Sequence, residues 1–167
     1  MNEQRGKNAM KKGVTTLLAA LTGGIVGAGT ATNLWKRKCN VADDWGRKML
    51  EFYNTLNQWL KLRQEGRSLV EYFEKNEYKT VAIYGMKELG ERLYDELSGS
   101  NIEVLYAIDK RADRIYANVD IVTPEEELLE VDVIVVTAIH YFDDIEEVLA
   151  SKVDYPIISI EDVVYGM

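Results

Sequence analysis

"VAIYGMKELGERLYDEL", residues 81–97, decides the fold of this chain. Val81-Ala-Ile-Tyr84 is a short apolar run, of the length of a strand rather than a buried helix. Gly85 ends it. From Glu88 onward the spacing changes, and Leu89, Leu93 and Leu97 recur at steps of four, on one face of a helix. The stretch therefore reads as strand, tight turn and helix.

The same rhythm continues outward. The run 103–108 is the next strand and ends at Asp109, and 120–122 is a short third one. Thr123-Pro-Glu-Glu126 has the signature of a helix start, with Thr as N-cap, Pro at the first position and Glu at the third. Residues 132–137 read as a strand, whose β-branched run after Asp132 is the mark of burial on both faces. Residues 142–150 read as a helix and 157–160 as a last strand. Strands alternating with helices imply a parallel sheet with right-handed crossovers. The predicted architecture over 79–167 is an α/β half-Rossmann or flavodoxin-like sheet of order 3-2-1-4-5.

That order fixes where a ligand binds: beyond the carboxyl ends of the strands, where the strand order reverses. The expected walls are the turn Gly85-Met86-Lys87-Glu88-Leu89-Gly90, then Asp109-Lys110, and the loop from Thr137 and Ala138 to Tyr141. A dinucleotide-binding turn reads G-x-G-x-x-G; here Lys87 replaces the middle glycine. Gly85 suits the tight turn and Gly90 suits close helix–strand packing. Lys87 either blocks a pyrophosphate or binds it as a point charge. Asp109 suits a ribose hydroxyl, and Lys110 and Arg111 suit a phosphorylated ribose. His140, at a strand's carboxyl end, is a candidate general base or a plain surface residue. Asp143 and Asp144 read as helix-start acids. Tyr106 and Lys110 have the Y-x-x-x-K spacing of short-chain dehydrogenases, but fall on a strand rather than a helix, so the match is a coincidence.

Ahead of this region lie two others, 1–39 and 40–78. Residues 1–39 carry seven Lys/Arg against Glu3, so the net charge of −8 leaves −14 for the rest. A body that acidic repels nucleic-acid phosphates, which argues against DNA or RNA as a partner. Residues 14–35, VTTLLAALTGGIVGAGTATNLW, are uncharged and flanked by Lys11-Lys12 and Lys36-Arg37-Lys38. As a helix they span about 33 Å, enough for a bilayer core of about 30 Å. A cleaved signal peptide and a buried glycine-rich helix are the alternatives. Length and flanks favour a single-pass anchor, with the α/β domain cytoplasmic. Gly23 and Gly27 form a G-x-x-x-G that would let two such helices pack as a homodimer. "GGIVGAG" imitates a phosphate loop, but no strand precedes it. The single cysteine, Cys39, and the single histidine exclude an internal disulfide and a Cys/His zinc site, so no metal is expected.

In the middle region Trp45, Met49, Phe52, Leu56 and Trp59 recur at steps of four and three, one stripe of a helix. Such a stripe packs on its own domain or forms a dimer stem. Ser68-Leu-Val-Glu71 reads as a capping box opening a second helix, with Val70 and Phe73 inward.

The runs "YKTVAIYGMKELGERLYDEL", "IEVLYAIDKR", "VDVIVVTAIHYFDDIEEVL" and "YPIISIEDVV" resemble a bacterial Rossmann-like NAD(P)- or nucleotide-sugar-binding domain family associated with surface-polysaccharide biosynthesis. They are similar, more distantly, to the N-terminal domain of sugar O- and N-acyltransferases. The resemblance covers roughly residues 50–165, and those relatives carry glycine at the position of Lys87. It implies a nucleotide-type ligand (NAD(P) or a nucleotide-sugar), a place beside glycosyltransferase-type proteins, and an accessory or regulatory role. No residue set for nucleophilic or metal-assisted catalysis is present, so no activity of its own is expected. The competing expectations are a small NAD(P)-dependent oxidoreductase or epimerase using His140, and a non-binding interaction module.

Overall fold

Parallel sheets are covered on both faces, which calls for the apolar run 80–84 to lie inside the sheet with neighbours on either side. The computed structural model, which describes residues 44–114 and 117–167, places it there. The sheet has five parallel strands: β1 (Thr80–Tyr84), β2 (Glu103–Ile108), β3 (Ile121–Val122), β4 (Val133–Val136) and β5 (Ile157–Ser159), in the order β3-β2-β1-β4-β5. This is the α/β sheet expected from the sequence. Tyr84 pairs with Ile108 on one side and with Val136 on the other, so three strands end level at their carboxyl edge.

The period of two along the strands divides the core. Val81, Ile83, Val133 and Val135 point to one face, where they meet Leu89, Leu93 and Leu97 of α3 (Glu88–Leu97). The same cluster takes in Phe73 of α2 (Val70–Lys75) and Val163 and Val164 of α5 (Ile160–Tyr165). Ala82, Tyr84, Ile134 and Val136 point to the other face, against Ile145 and Leu149 of α4 (Phe142–Ala150). Burying an aliphatic side chain of this kind contributes about 1.5–3 kcal/mol, which makes these two layers the main stabilising term.

Residues 44–64 form α1. The stripe expected to bury itself does so in its later half: Phe52, Leu56 and Trp59, joined by Leu62, pack into the first cluster, whereas Trp45 and Met49 are exposed. A polar knot holds this part of α1 in place. The Glu96 side chain of α3 is only 7% exposed. One of its oxygens accepts from the Trp59 indole N–H (2.5 Å), and the other from Leu69 N–H (2.7 Å) and the Ser68 hydroxyl (2.9 Å). Arg63 supplies its counter-charge at 3.3 Å. Ser68 and Glu71 also form part of the predicted box, with Ser68 N–H donating to Glu71 Oε1 at 3.2 Å.

Three expectations are corrected. The first concerns 123–126. Thr123 N–H and its hydroxyl do bond Glu126 Oε1 at 2.7 and 2.9 Å, but only a turn follows, and residues 127–132 are irregular. Side chains satisfy carbonyls of this irregular segment. Tyr106 and Tyr155 hydroxyls both donate to Leu129 O (2.7 and 2.9 Å), and Lys152 Nζ donates to Pro124 O. Leu128 and Val131 still cover the second face of the sheet. Second, the last strand stops at Ser159, and Ile160 begins α5. The Ser159 hydroxyl accepts from Glu161 N–H and Asp162 closes the capping box, a start signal the sequence reading passed over.

Third, the single-pass membrane location, with the α/β domain on the cytoplasmic side, is corrected: among the described residues no helix is long and apolar enough to cross a membrane. The longest, α1, carries Asp44, Arg47, Lys48, Glu51, Lys61 and Arg63. Residues 14–35, with Gly23 and Gly27, and Cys39 lie outside the described residues. Leu50–Met167 is one compact unit, so the later part of α1 and α2 belong with the sheet.

At the amino edge of the sheet Asp132 staples β4 to β1. Its Oδ2 accepts from Lys79 N–H and Thr80 N–H, both at 2.7 Å, and from the Thr80 hydroxyl at 3.0 Å. These bonds, the two backbone ones first, hold its carboxyl below the ordinary value of 3.8. A lowered folded-state pKa contributes stability that is full above the unfolded value and is lost as pH falls through the folded one. Asp132→Asn is therefore expected to lower the urea midpoint at pH 7. The two proteins should converge as the pH drops below 3.8, and a gap that is constant from pH 7 to pH 2.5 would contradict the staple. Glu96→Ala strands the Trp59 and Leu69 donors and should cost about 3 kcal/mol at neutral pH, read from the same unfolding curves.

Candidate functional site

The site is built on the turn between β1 and α3. Gly85 lies at φ +94°, a conformation L side chains rarely adopt, and a Cβ there would meet Thr137 Oγ1 at 2.9 Å. The turn is held from both flanking strands. On the β4 side the Thr137 hydroxyl lies 2.6 Å from Gly85 O and 3.0 Å from Tyr84 O. On the β2 side Gly85 N–H donates to Ile108 O at 2.8 Å. Asp109, 8% exposed, accepts from Met86 N–H at 3.3 Å and from Arg111 N–H at 2.9 Å. Gly90 lets the helix close onto the turn: a Cβ at this position would stand 2.1 Å from Gly85 O.

Above this turn, at the carboxyl ends of β1, β2 and β4, lies a cavity of about 650 Å³, within the range of small-molecule sites. Of the residues named from the sequence, Gly85, Lys87, Leu89, Asp109, Lys110, Thr137, Ala138 and His140 line it. Met86 and Gly90 do not. Both are buried behind the turn, where Met86 packs in the core and Gly90 sets the helix approach. Arg111, Glu125 and Asp144 add charge to the wall, and Tyr141, Ile145 and Val148 add apolar surface. Residues of α4 were within reach of sequence reasoning, because that helix starts directly after the 137–141 loop. Phe52 was not: it reaches the cavity from α1, and no local pattern announces that.

The charges at the mouth are mixed. Lys87, Lys110 and Arg111 are exposed, and none forms an ion pair with a described residue. Lys87 is the N-cap of α3 and its side chain makes no cap bond to the first N–H groups of that helix, which have no intrahelical acceptor. Glu88 and Glu91 stand in the first turn. Burial first, then the charges of Asp109 and Glu125, push the Tyr84 phenol above its usual range, so it remains a donor at neutral pH. His140 is not a free surface residue. Its side chain is 18% exposed, and Nδ1 lies 3.0 Å from Glu51 Oε2 of α1. Among the described residues no group of three or more His, Cys, Asp or Glu could hold a metal ion.

The family model described as C2185-like, N-terminal, matches residues 77–160, half of the chain, and the chain belongs to that family. The matched segment contains the Gly85–Gly90 turn, Asp109 and the 137–141 loop, and it leaves α1 outside. No curated protein and no solved structure matches the chain.

The packing of the turn gives an ordered pair of outcomes. Gly90→Ala drives a methyl into a backbone carbonyl that the sheet holds fixed, and should cost about 3 kcal/mol or more in chemical denaturation. Gly85→Ala strains one residue and crowds a hydroxyl, and should cost about 1–2 kcal/mol. A Gly90→Ala protein within about 0.5 kcal/mol of wild type, the size of an ordinary surface change, would show that the close approach is not real.

Proposed function

We propose that the cavity binds a nucleotide or nucleotide-sugar and that the domain is an accessory or regulatory module, without catalysis of its own, in bacterial envelope polysaccharide synthesis. The observation that carries the binding reading is the position of the cavity. It opens where strand order reverses, between the ends of β1 and β4, over a glycine turn that leads into a helix N-terminus. Free amides and the helix dipole favour an anion there. Asp109 uses two acceptor positions on backbone amides. A carboxylate offers about four, so two remain for ribose hydroxyls. The place in polysaccharide synthesis, beside glycosyltransferase-type proteins, rests on the resemblance of residues 50–165 described above.

Lys87 takes the point-charge role in this reading. Its side chain is exposed and lines the cavity. An ammonium in that position meets a phosphate without requiring the backbone approach that a glycine would allow. Calorimetric titration of the full chain with NAD, NADP and UDP-sugars tests the proposal. Binding of at least one is expected, and Lys87→Ala should weaken it about tenfold and flatten its salt dependence, as loss of one charge-assisted contact does. Tighter binding by Lys87→Gly would mean the side chain obstructs the site. No heat with any of these compounds would remove the nucleotide reading.

A further inference from the structure

The cavity has two chemically different ends. Asp109, Lys110 and Arg111 follow β2, whereas Ala138, His140 and Tyr141 follow β4. Since β1 separates those strands, the ends lie about 10 Å apart, two strand spacings. The first end has the cations and the ribose-type acceptor. The second has the rings of Phe52 and Tyr141 and the imidazole of His140.

The Glu51–His140 pair defines what that imidazole can do. A carboxylate accepts and does not donate, so Glu51 at 3.0 Å holds the proton of the neutral ring on Nδ1. Nε2 is then left as an acceptor. In that neutral tautomer the free acceptor suits a hydroxyl or amide on the ligand, which can donate to it. Aromatic rings beside a single acceptor suit a pyranose, which presents a C–H face and hydroxyl edges.

Building on the nucleotide-type reading above, we propose that the α1 end of the cavity is a sugar subsite: His140 Nε2 accepts from a ligand hydroxyl, and Glu51 is its positioning residue. The ligand class is then a nucleotide-sugar rather than a bare nucleotide. The subsite also depends on α1, which lies outside the segment matched by the family model.

Calorimetry on the full chain with UDP-glucose and with UDP tests this. UDP-glucose should bind about tenfold more tightly than UDP, the worth of one well-formed hydrogen bond with its packing. Glu51→Ala and His140→Ala should each abolish that preference, and the double variant should lose no more than either. UDP affinity should stay unchanged in all three, which a collapse of the fold would not allow. Equal affinity for the two compounds, or a preference that survives both variants, overturns the subsite. A second measurement needs no ligand. Long-range nitrogen–proton NMR of the free protein should show His140 in the Nδ1–H form, and Glu51→Ala should release it. If neither UDP compound binds while NAD or NADP does, the sugar subsite falls and the nucleotide reading stands, and an Nε2–H ring in wild type overturns the positioning role separately.

Discussion

The approach of α3 to the end of β1 is the constraint on which the rest of the molecule depends. Gly90 stands so close to the Gly85 carbonyl that a single methyl group would not fit. Because α3 is drawn in at this point, Leu89, Leu93 and Leu97 meet Val81 and Ile83 with no exposed face between them. The same approach sets the first turn of α3 beside Gly85, where Lys87 and Leu89 line the cavity. The packing of the core and the position of that first turn are thus one geometric fact seen twice.

Two polar clusters act at the edges of this arrangement. At the carboxyl edge Thr137 and Asp109 grip the turn from the strands on either side, so the floor of the cavity is bonded to the sheet rather than to solvent. At the amino edge Asp132 joins β4 to β1. A central strand fastened at both ends has little freedom to slip. A slip of one residue would exchange its two buried faces, and Tyr84 and Ile83 would trade places.

Glu96 has a different kind of effect. A carboxylate 7% exposed is stable only with its oxygens satisfied, and its donors come from α1 and from the residues leading into α2. These bonds make the docking of α1 directional. Apolar contact alone would tolerate rotation of the helix; the Trp59 N–H to Glu96 bond fixes which face of α1 looks inward. That choice places Phe52 at the cavity and Glu51 beside His140. A cavity whose floor belongs to the matched family segment thereby takes one wall from outside it.

The sequence by itself determined the sheet. The apolar runs 81–84 and 133–136, and the fourfold spacing of Leu89, Leu93 and Leu97, are local signals of buried elements, and with the rules of βαβ crossover they lead to the strand order and the location of the cavity. Residues named on those elements and the loops that follow them, Lys87, Asp109, Thr137 and His140 among them, line it. Only the tertiary structure decided the rest. Thr123–Glu126 closes a cap-like turn with no helix behind it, in a segment whose Leu129 carbonyl is held by Tyr106 and Tyr155. Whether Asp109 would hold the turn depended on the Met86 amide, 23 residues earlier in the chain, and whether Glu51 would face His140 depended on an ion-bearing knot at the far end of α1. Periodicity reports which side of an element is buried. It carries no information about which polar atom, 37 residues along the chain in the case of Trp59 and Glu96, will meet it there.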